Sequence, residues 1–176
     1  MSLVYITGIS GMGKSTIMQE MRNQNIEVYG IDEDPLGVWV NRATGEIDDM
    51  HKAAKNDDFD VHDWFNTHAW TFDTKKIETL AKKSEGRTVY FCGVAEGYDA
   101  IKRFIDKVIV LHTDDQEELI KRIKERKDND YGKHPRDLEK ILGWQAIARN
   151  FYGQIGAIFI DAKQNPKNIV DEIVKL

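Results

Sequence analysis

Nine consecutive residues near the start of the chain have the types and the spacing of a phosphate-binding loop. They read Gly-Ile-Ser-Gly-Met-Gly-Lys-Ser-Thr over residues 8–16 and fit the pattern G-x-x-x-x-G-K-[ST]. Glycine permits backbone angles that other residues avoid, so such a loop can wrap its N–H groups around an anion. The predicted ligand contacts are Gly8, Ser10, Gly11, Met12, Gly13, Lys14, Ser15 and Thr16.

The last three residues of this loop carry side chains suited to a triphosphate with a divalent cation. Lys14 supplies a positive charge for the β- and γ-phosphates, and the Ser15 hydroxyl can coordinate Mg²⁺. Thr16 can contact the region of the α-phosphate. A lysine at the start of a helix is electrostatically unfavourable unless an anion lies there, which argues against a glycine-rich turn without chemical meaning. The loop therefore predicts binding of ATP and Mg²⁺.

Three acidic residues, Asp32-Glu33-Asp34, directly follow an apolar run at 28–31. Ligands of an open parallel sheet bind outside the carboxyl ends of its strands, so these carboxylates are expected beside the phosphate loop. Mg²⁺ prefers oxygen ligands, and we assign Asp32 to the metal. We assign Asp34 to an acceptor hydroxyl, whose proton it could take. A structural alternative is that Asp34 caps a helix that Pro35 begins, and both readings can hold together.

Two arginines, Arg122 and Arg126, lie four residues apart on one face of a predicted helix. Like charges at this spacing repel each other unless an anion lies between them. A polar stretch at 127–136 follows, and we interpret it as a lid that would exclude water and bring arginine to the transferring phosphate. Both arginines are therefore assigned a catalytic role, together with Lys14 and Asp34. The alternative is a solvated helix with ordinary ion pairs, such as Glu118 with Arg122.

Apolar runs and helical periods alternate along the chain. Strands are predicted at 3–7, 26–31, 88–92, 107–111 and 157–160, and helices at 14–22, 74–83, 114–127, 136–152 and 166–175. Strands followed by helices imply right-handed crossovers and an α/β fold with a parallel sheet covered on both faces. Asp114-Asp115 is expected to cap the third of these helices, and Asp114 and Glu117 have the spacing of a capping box.

Residues 35–72 follow no single period and hold three of the four tryptophans. We interpret this segment as short helices and loops inserted between strands, and not as a separate domain. One interpretation is an acceptor-binding surface, in which Trp39, Trp64, Phe65 and Trp70 could stack on a nucleobase. The other is a small satellite core, and the sequence leaves both open.

Composition narrows the class of protein. The 176 residues suit one domain with a sizeable core, and the net charge of −5 argues against a dedicated nucleic-acid binder. A single cysteine excludes an intrachain disulfide, which suits a reducing compartment. The start of the chain lacks the features of a signal peptide, and no apolar run approaches the ~20 residues that span a bilayer. We therefore expect a cytoplasmic protein without a membrane or nucleic-acid partner.

Taken together, these features resemble the nucleoside-monophosphate-kinase-like branch of P-loop kinases, which includes adenylate, shikimate and gluconate kinases. The resemblance rests on the phosphate loop, the Asp32 and Asp34 pair, the R-x-x-x-R of Arg122 and Arg126, and the ending Ile160-Asp161-Ala162. It implies a three-layer P-loop fold whose five-stranded parallel sheet has the order 2-3-1-4-5. A single domain, 1–176, would carry an acceptor-binding insertion at 35–72 and a lid at 127–136.

The resemblance also implies roles for residues. Asp32 would serve Mg²⁺ and Asp34 the acceptor hydroxyl, and a segment at 161–164, including Asp161 and Ala162, would border adenine. A monomer is the default of this branch. The chain departs from shikimate kinases in having only Gly93 where they have three glycines after the third strand, and it lacks the D-G-[FY]-P-R pattern of adenylate kinases. The acceptor pocket is therefore expected to differ from both.

The expected activity is transfer of the γ-phosphate of ATP to a nucleoside, nucleotide or other hydroxylated small molecule. The alternative is an ATP-binding switch that hydrolyses ATP without a small-molecule acceptor. Two further clusters are weaker candidates. His62, Asp63 and His68 match no standard set of transition-metal ligands, and Cys92 ends a central strand and is interpreted as a buried apolar residue.

Overall fold

The structure is a computed structural model that describes residues 2–127 and 130–176. Its strands are β1 (Leu3–Thr7), β2 (Val28–Gly30), β3 (Gly37–Asn41), β4 (Ile47–Asp48), β5 (His68–Phe72), β6 (Val89–Cys92), β7 (Lys107–His112) and β8 (Ile158–Asp161). Its helices are α1 (Lys14–Asn23), α2 (Met50–Ala53), α3 (Val61–Thr67), α4 (Thr74–Lys83), α5 (Tyr98–Ile101), α6 (Gln116–Glu125), α7 (Pro135–Gln154) and α8 (Pro166–Ile173), with a 3-10 turn at Lys102–Phe104.

The main sheet has five parallel strands in the order β2-β6-β1-β7-β8. When only the strands of this sheet are numbered along the chain, the order is 2-3-1-4-5, and this prediction is confirmed. The central strand, β1, is fully buried because it has a parallel neighbour on each side and helices above and below.

Two apolar clusters lie on opposite faces of the main sheet, as the alternation of side chains along a strand requires. Val4 and Ile6 of β1 pack on one face, which α1, α6 and α8 cover. Leu3 and Tyr5 pack on the other face, which α4 covers. The predicted three-layer arrangement is therefore present.

The segment 35–72 contains a second sheet, which was not predicted from the sequence. Its three antiparallel strands have the order β4-β3-β5, and Trp39 lies directly opposite Trp70. The prediction of short helices and loops holds for α2 and α3 only. The strands were missed because β4 has two residues, and because β5 starts at His68 directly after α3 ends at Thr67.

The second sheet is attached to the main fold at two places. Its two ends meet, since the N–H of Asp73 donates to the carbonyl of Leu36 at 2.8 Å. Along its side, the N–H of Glu96 donates to the carbonyl of Trp70, also at 2.8 Å. The insertion is thus held both at its base and against the loop that follows β6.

The N-cap of α6 falls within the predicted Asp114-Asp115 pair, whereas the capping box and the end of the helix differ from prediction. Asp115 is the N-cap, and its carboxylate accepts a hydrogen bond from the N–H of Glu118 at 3.0 Å. The carboxylate of Asp114 is engaged instead by His112 and Arg149 at 2.8 and 3.0 Å, so the expected capping box is wrong. The helix ends at Glu125 rather than at 127.

The predicted lid at 127–136 includes Asp128 and Asn129, which lie outside the described residues. After them, the chain turns at 131–133, where Gly132 is buried and packs against Ile123 of α6 and Ile141 of α7. Of the helices in residues 2–127 and 130–176, not even the 20-residue α7 combines the length and apolar character needed to cross a membrane.

Candidate functional site

The phosphate loop joins the buried end of β1 to the start of α1. Gly8 adopts a φ of 147°, and a Cβ at this position would lie 2.4 Å from the backbone oxygen of Leu111 in β7. Gly13 is the N-cap of α1 with a φ of 81°, and no side chain caps this helix or places an acid in its first turn. The N–H groups at the start of α1 are therefore available to an anion.

The ammonium of Lys14 lies inside the loop. It donates to the carbonyl oxygens of Gly8 and Ile9 at 2.7 and 3.0 Å. Burial lowers the pKa of Lys14 from 10.5 to about 8, the nearby Asp32 opposes this shift, and Arg126 adds to it. A cation held by two neutral carbonyls in a desolvated position favours a negatively charged ligand.

Some of the remaining loop residues are exposed to solvent, and others are buried in the core. Ser15 and Thr16 are exposed on the first turn of α1, where their hydroxyls can meet a ligand. Met12 is 1 % exposed and belongs to the core, so only its backbone can contact a ligand. A Cβ on Gly11 would lie 2.7 Å from Leu119, which shows that the loop packs closely on α6.

Asp32 lies near Lys14 at the carboxyl end of β2, as the sequence predicted. Its side chain is exposed to solvent, yet the surrounding protein still raises its pKa by desolvation, and the Lys14 ammonium acts against this rise. The indole N–H of Trp70 also lowers the pKa of Asp32, although the two groups do not form a hydrogen bond of standard geometry.

Asp34 has different partners from Asp32. Its carboxylate accepts hydrogen bonds from the N–H of Gly30 at 2.7 Å and from Arg22 at 3.0 Å. Arg22 is eight residues after Lys14 on α1, or about 12 Å along the helix axis. The structure does not bring Asp34 together with Lys14, and its ion pair would have to open before it could act on an acceptor.

The two arginines lie at different parts of the site. Arg126 donates to the hydroxyl of Ser10 at 3.0 Å and also binds the carbonyl of Tyr131. Arg122 donates to Glu118 at 2.8 Å and to the carbonyl of Ala162 at 2.9 Å. Arg126 therefore contacts the phosphate loop, whereas Arg122 contacts the segment predicted to border adenine and makes the ion pair expected of a solvated helix.

A cavity of about 340 Å³ opens at the carboxyl ends of β7 and β8. Asp161 and Lys163 line it, together with His112, Phe159 and Arg149. The buried Ala162 lies between the first two, and its N–H donates to the carbonyl of His112 at 2.8 Å. The predicted base-bordering segment thus lies beside a cavity on the same edge of the sheet as the phosphate loop.

A buried hydroxyl network lies beneath the end of β1 and was not found from the sequence. The Tyr5 hydroxyl lies 3.0 Å from the Thr7 hydroxyl and 3.2 Å from the carbonyl of Gly93. Thr7 is in turn 3.3 Å from the Tyr152 hydroxyl of α7. Burial raises the pKa of Tyr5 and of Tyr152, so both stay protonated. The network ties β1, α7 and the loop after β6 together.

The aromatic residues of the insertion pack mainly on one another. The Trp39 ring lies 5.2 Å from Trp70, 5.6 Å from Phe65 and 6.1 Å from Trp64, between ring centroids. Trp64 is 8 % exposed and Phe65 is 43 % exposed. These contacts give the insertion a core of its own, with Trp70 at the end nearest Asp32.

A family model described as an AAA domain matches residues 4–143, which is most of the chain. The chain belongs to this family. No curated protein has a sequence that matches this chain significantly. Its helices and strands nevertheless have close counterparts among solved structures.

Three kinases illustrate this structural similarity. A shikimate kinase from Acinetobacter baumannii in complex with shikimate has a TM-score of 0.59 at 15 % identity, over 99 % of this chain and 92 % of that one. A gluconokinase from Sinorhizobium meliloti 1021 has a TM-score of 0.53 at 15 % identity, over 99 % of this chain and 90 % of that one. A deoxyadenosine kinase from M. mycoides with bound dATP has a TM-score of 0.53 at 15 % identity, over 99 % of this chain and 98 % of that one. At this identity the similarity shows the fold, and this AAA domain has a kinase-like P-loop fold.

The residues of the AAA domain fit a triphosphate with a divalent cation. The uncapped start of α1 and the buried Lys14 ammonium supply positive charge without a counterion inside the loop. The Ser15 hydroxyl and the Asp32 carboxylate are the oxygen donors that Mg²⁺ prefers. Across the described residues, no group of three or more His, Cys, Asp or Glu side chains could hold a metal ion, so this fit relies on water and phosphate oxygens for the other ligands.

His68 and Cys92 have structural partners in the AAA domain. His68 lies 2.9 Å from Asp48 and stacks on Trp64 with 3.7 Å between ring centroids. Burial raises the pKa of the Cys92 thiol to about 12, so the group remains a thiol at neutral pH. The interpretation of Cys92 as a buried apolar residue is consistent with its place in the core.

Proposed function

We propose that the protein is an ATP-dependent phosphotransferase that moves the γ-phosphate of ATP to a small-molecule acceptor. One observation carries the proposal. The Lys14 ammonium is held inside a glycine loop at the uncapped start of a helix, with the Asp32 carboxylate nearby and Arg126 on the loop hydroxyl of Ser10. This combination of cations, free N–H groups and one carboxylate suits a triphosphate with magnesium.

Each residue has a proposed part in the transfer. The loop N–H groups and Lys14 would bind the phosphates, and Ser15 and Asp32 would hold Mg²⁺, which would neutralise phosphate charge. Arg126 stabilises the charge that spreads over the transferring group, and removal of such a donor typically costs about 10²–10³ in rate. Arg122 and the segment at 161–164 hold the nucleoside part of ATP.

The acceptor site is proposed between Asp32, Gly93 and the insertion. Gly93 adopts a φ of 150°, and a Cβ there would lie 2.8 Å from Ile31, which brings the loop after β6 against the end of β2. A bidentate ion pair between Arg42 and Glu96, at 3.1 and 2.5 Å, joins the insertion to the same loop. These contacts bring the end of β2, the loop after β6 and the insertion together at the proposed acceptor site. Asp34 remains a candidate base, once Arg22 releases it.

The test is acceptor-dependent release of ADP. Purified protein with ATP and Mg²⁺ is assayed against nucleosides, nucleotides, sugars and polyol acids, each added separately. A kinase should show strong stimulation by one class and form the phosphorylated product. The alternative is an ATP-dependent switch, which the family description of an AAA domain also accommodates. A switch would hydrolyse ATP at a rate that none of these compounds changes, and that result would overturn the kinase proposal.

A further inference from the structure

The segments around the proposed acceptor site carry many acidic side chains and few basic ones. These segments are residues 31–42, from the end of β2 through β3, residues 68–73, in and after β5, and residues 93–97, in the loop after β6. They contain one arginine, Arg42, and no lysine, whereas their acidic residues are Asp32, Glu33, Asp34, Asp73 and Glu96. A phosphate or carboxylate group on an acceptor needs a cation beside it once water is displaced. The partners of the nearby cations therefore decide which acceptors fit.

Arg42 is already bound within the protein. Its two terminal nitrogens donate to the two carboxylate oxygens of Glu96, at 3.1 and 2.5 Å. Glu96 is held in turn by β5, since its N–H donates to the carbonyl of Trp70 at 2.8 Å and it forms a β-bridge with Thr71. An anionic acceptor that took Arg42 would therefore lie beside the displaced Glu96 carboxylate, and like charges placed side by side oppose binding.

Two cations reach these segments from neighbouring helices, and both have partners there. Arg22 of α1 donates to the carboxylate of Asp34 at 3.0 Å. Lys76 of α4 donates to the carbonyl of Pro35 at 2.7 Å, and its ammonium lies 3.7 Å from the carboxylate of Asp73. An anionic acceptor would have to displace a protein group to use either of them.

The remaining charged side chains of these segments leave the site negative. His68 faces the carboxylate of Asp48 at 2.9 Å. Asp32 and Glu33 are exposed and make no ion pair with any residue that the structure describes. The ammonium of Lys14 belongs to the phosphate loop, where the triphosphate would use it. The acceptor side of the site therefore offers carboxylates to a ligand, and its cations are neutralised.

We propose that the acceptor is a hydroxylated molecule without a phosphate or carboxylate group, and that the Arg42–Glu96 ion pair excludes anionic acceptors. The inference rests on the proposed function and on the proposed place of the acceptor site. A neutral hydroxyl can donate a hydrogen bond to a carboxylate of the site, which an anion cannot do. The substrate class is therefore a nucleoside, sugar or similar neutral molecule rather than a nucleotide or a polyol acid.

The experiment compares acceptors that differ only by an anionic group. Phosphorylation by ATP and Mg²⁺ is measured for each nucleoside against its 3′- and 5′-monophosphates, and for each sugar against the acid formed by oxidation at C1. The readout is the ratio of kcat/KM for the neutral member to that for the better anionic member. We expect a ratio of at least about tenfold for the active compound.

The outcomes separate this inference from the proposed function. A smaller ratio, or a preference for the anionic member, would overturn the inference while leaving the kinase proposal standing. If no compound of either kind stimulates the release of ADP, the proposed function itself fails.

Two variants of the ion pair should change this ratio in opposite directions. Glu96→Gln leaves Arg42 with a charge that no carboxylate neutralises, so the ratio should fall about threefold or more. Arg42→Gln leaves Glu96 without its counterion, so the ratio should rise. Glu27→Gln is the matched control, because it removes the carboxylate that lies 3.2 Å from Arg87 at the opposite end of β2, and its ratio should stay within about twofold. A ratio that is unchanged in Glu96→Gln, or that falls in Arg42→Gln, would overturn the inference.

Discussion

At the scale of single residues, Lys14 sets a pH limit on ligand binding. Its pKa of about 8 places the loss of its charge well below that of an ordinary lysine. Because the neutral amine cannot attract phosphate, affinity for MgATP should fall as pH rises above about 8. Between about pH 7 and about pH 9 we expect a loss of about tenfold, measured by calorimetry at fixed ionic strength.

The lowered pKa of Lys14 affects the stability of the free protein in the direction opposite to its effect on ligand affinity. Between about pH 8 and the ordinary pKa of 10.5 the unfolded chain binds a proton at Lys14 that the folded chain does not, so this group makes the free protein more stable as pH rises. The Lys14 contribution to stability therefore changes in the direction opposite to its contribution to ligand affinity, and an unfolding curve at each pH separates the two. Lys14→Arg is the control, since arginine stays charged and should make affinity independent of pH. Equal pH profiles for the wild type and this variant would contradict the assignment of Lys14.

The residue types of the proposed phosphate site can be read from the sequence, whereas the partners of those residues cannot. Lys14, Ser15 and Asp32 were predicted from a local pattern and from the rule that ligands bind at the carboxyl ends of strands. Asp34 has the same position in the pattern, but an arginine twelve residues earlier competes for it. The ion pair between Arg42 and Glu96, beside the proposed acceptor site, spans 54 positions and depends on an insertion whose strands were not predicted, so no local signal could give it.

At the scale of elements, the phosphate loop requires a close approach of β1 to β7. A Cβ on Gly8 would be 2.4 Å from a backbone oxygen of β7, whereas a Cβ on Gly13 would meet nothing within 4 Å. Both glycines have positive φ, at 147° and 81°. Gly8→Ala should therefore lower the free energy of unfolding by about 2–4 kcal/mol through strain and overpacking, and Gly13→Ala by only about 1–2 kcal/mol.

Urea unfolding of the two variants without ligand measures this difference. Gly13→Ala is the matched control, because it changes the same loop and removes the same residue type. Similar losses of stability in both variants would show that the approach of β1 to β7 is not as tight as the structure has it.

Helices and strands whose apolar residues recur with a clear period were predicted well, and those without such a period were not. The helix at 74–83 has the predicted bounds because Asp73 caps it, with its carboxylate 3.1 and 3.2 Å from the N–H groups of Lys75 and Lys76. The insertion offers no such signal, since short strands with mixed aromatic and polar residues look like loops. Pairing with a partner strand, and not the local sequence, determines these strands.

At the scale of the whole molecule, a ligand that binds only the folded state should raise its melting temperature. At a concentration of about one hundred times its Kd, MgATP should stabilise the fold by about 2.7 kcal/mol. For a chain of this length that corresponds to a shift of about 5–10 °C in Tm. Scanning calorimetry with and without MgATP measures it, and EDTA should reduce the shift by removing the metal.

Lys14→Ala separates binding from folding in this measurement. The variant should melt cooperatively without ligand, lose the shift caused by MgATP and lose turnover. A full shift in Lys14→Ala, or none in the wild type, would contradict nucleotide binding at this loop.

The way in which the second sheet is attached has a consequence for how such proteins diversify. The insertion leaves and re-enters the main fold at Leu36 and Asp73, which are hydrogen-bonded to each other at 2.8 Å. A segment whose two ends already touch can be exchanged for one of another length without separating the strands on either side. If the proposed function holds, recognition of the acceptor changes when this insertion is replaced, while the proposed triphosphate site is inherited unchanged.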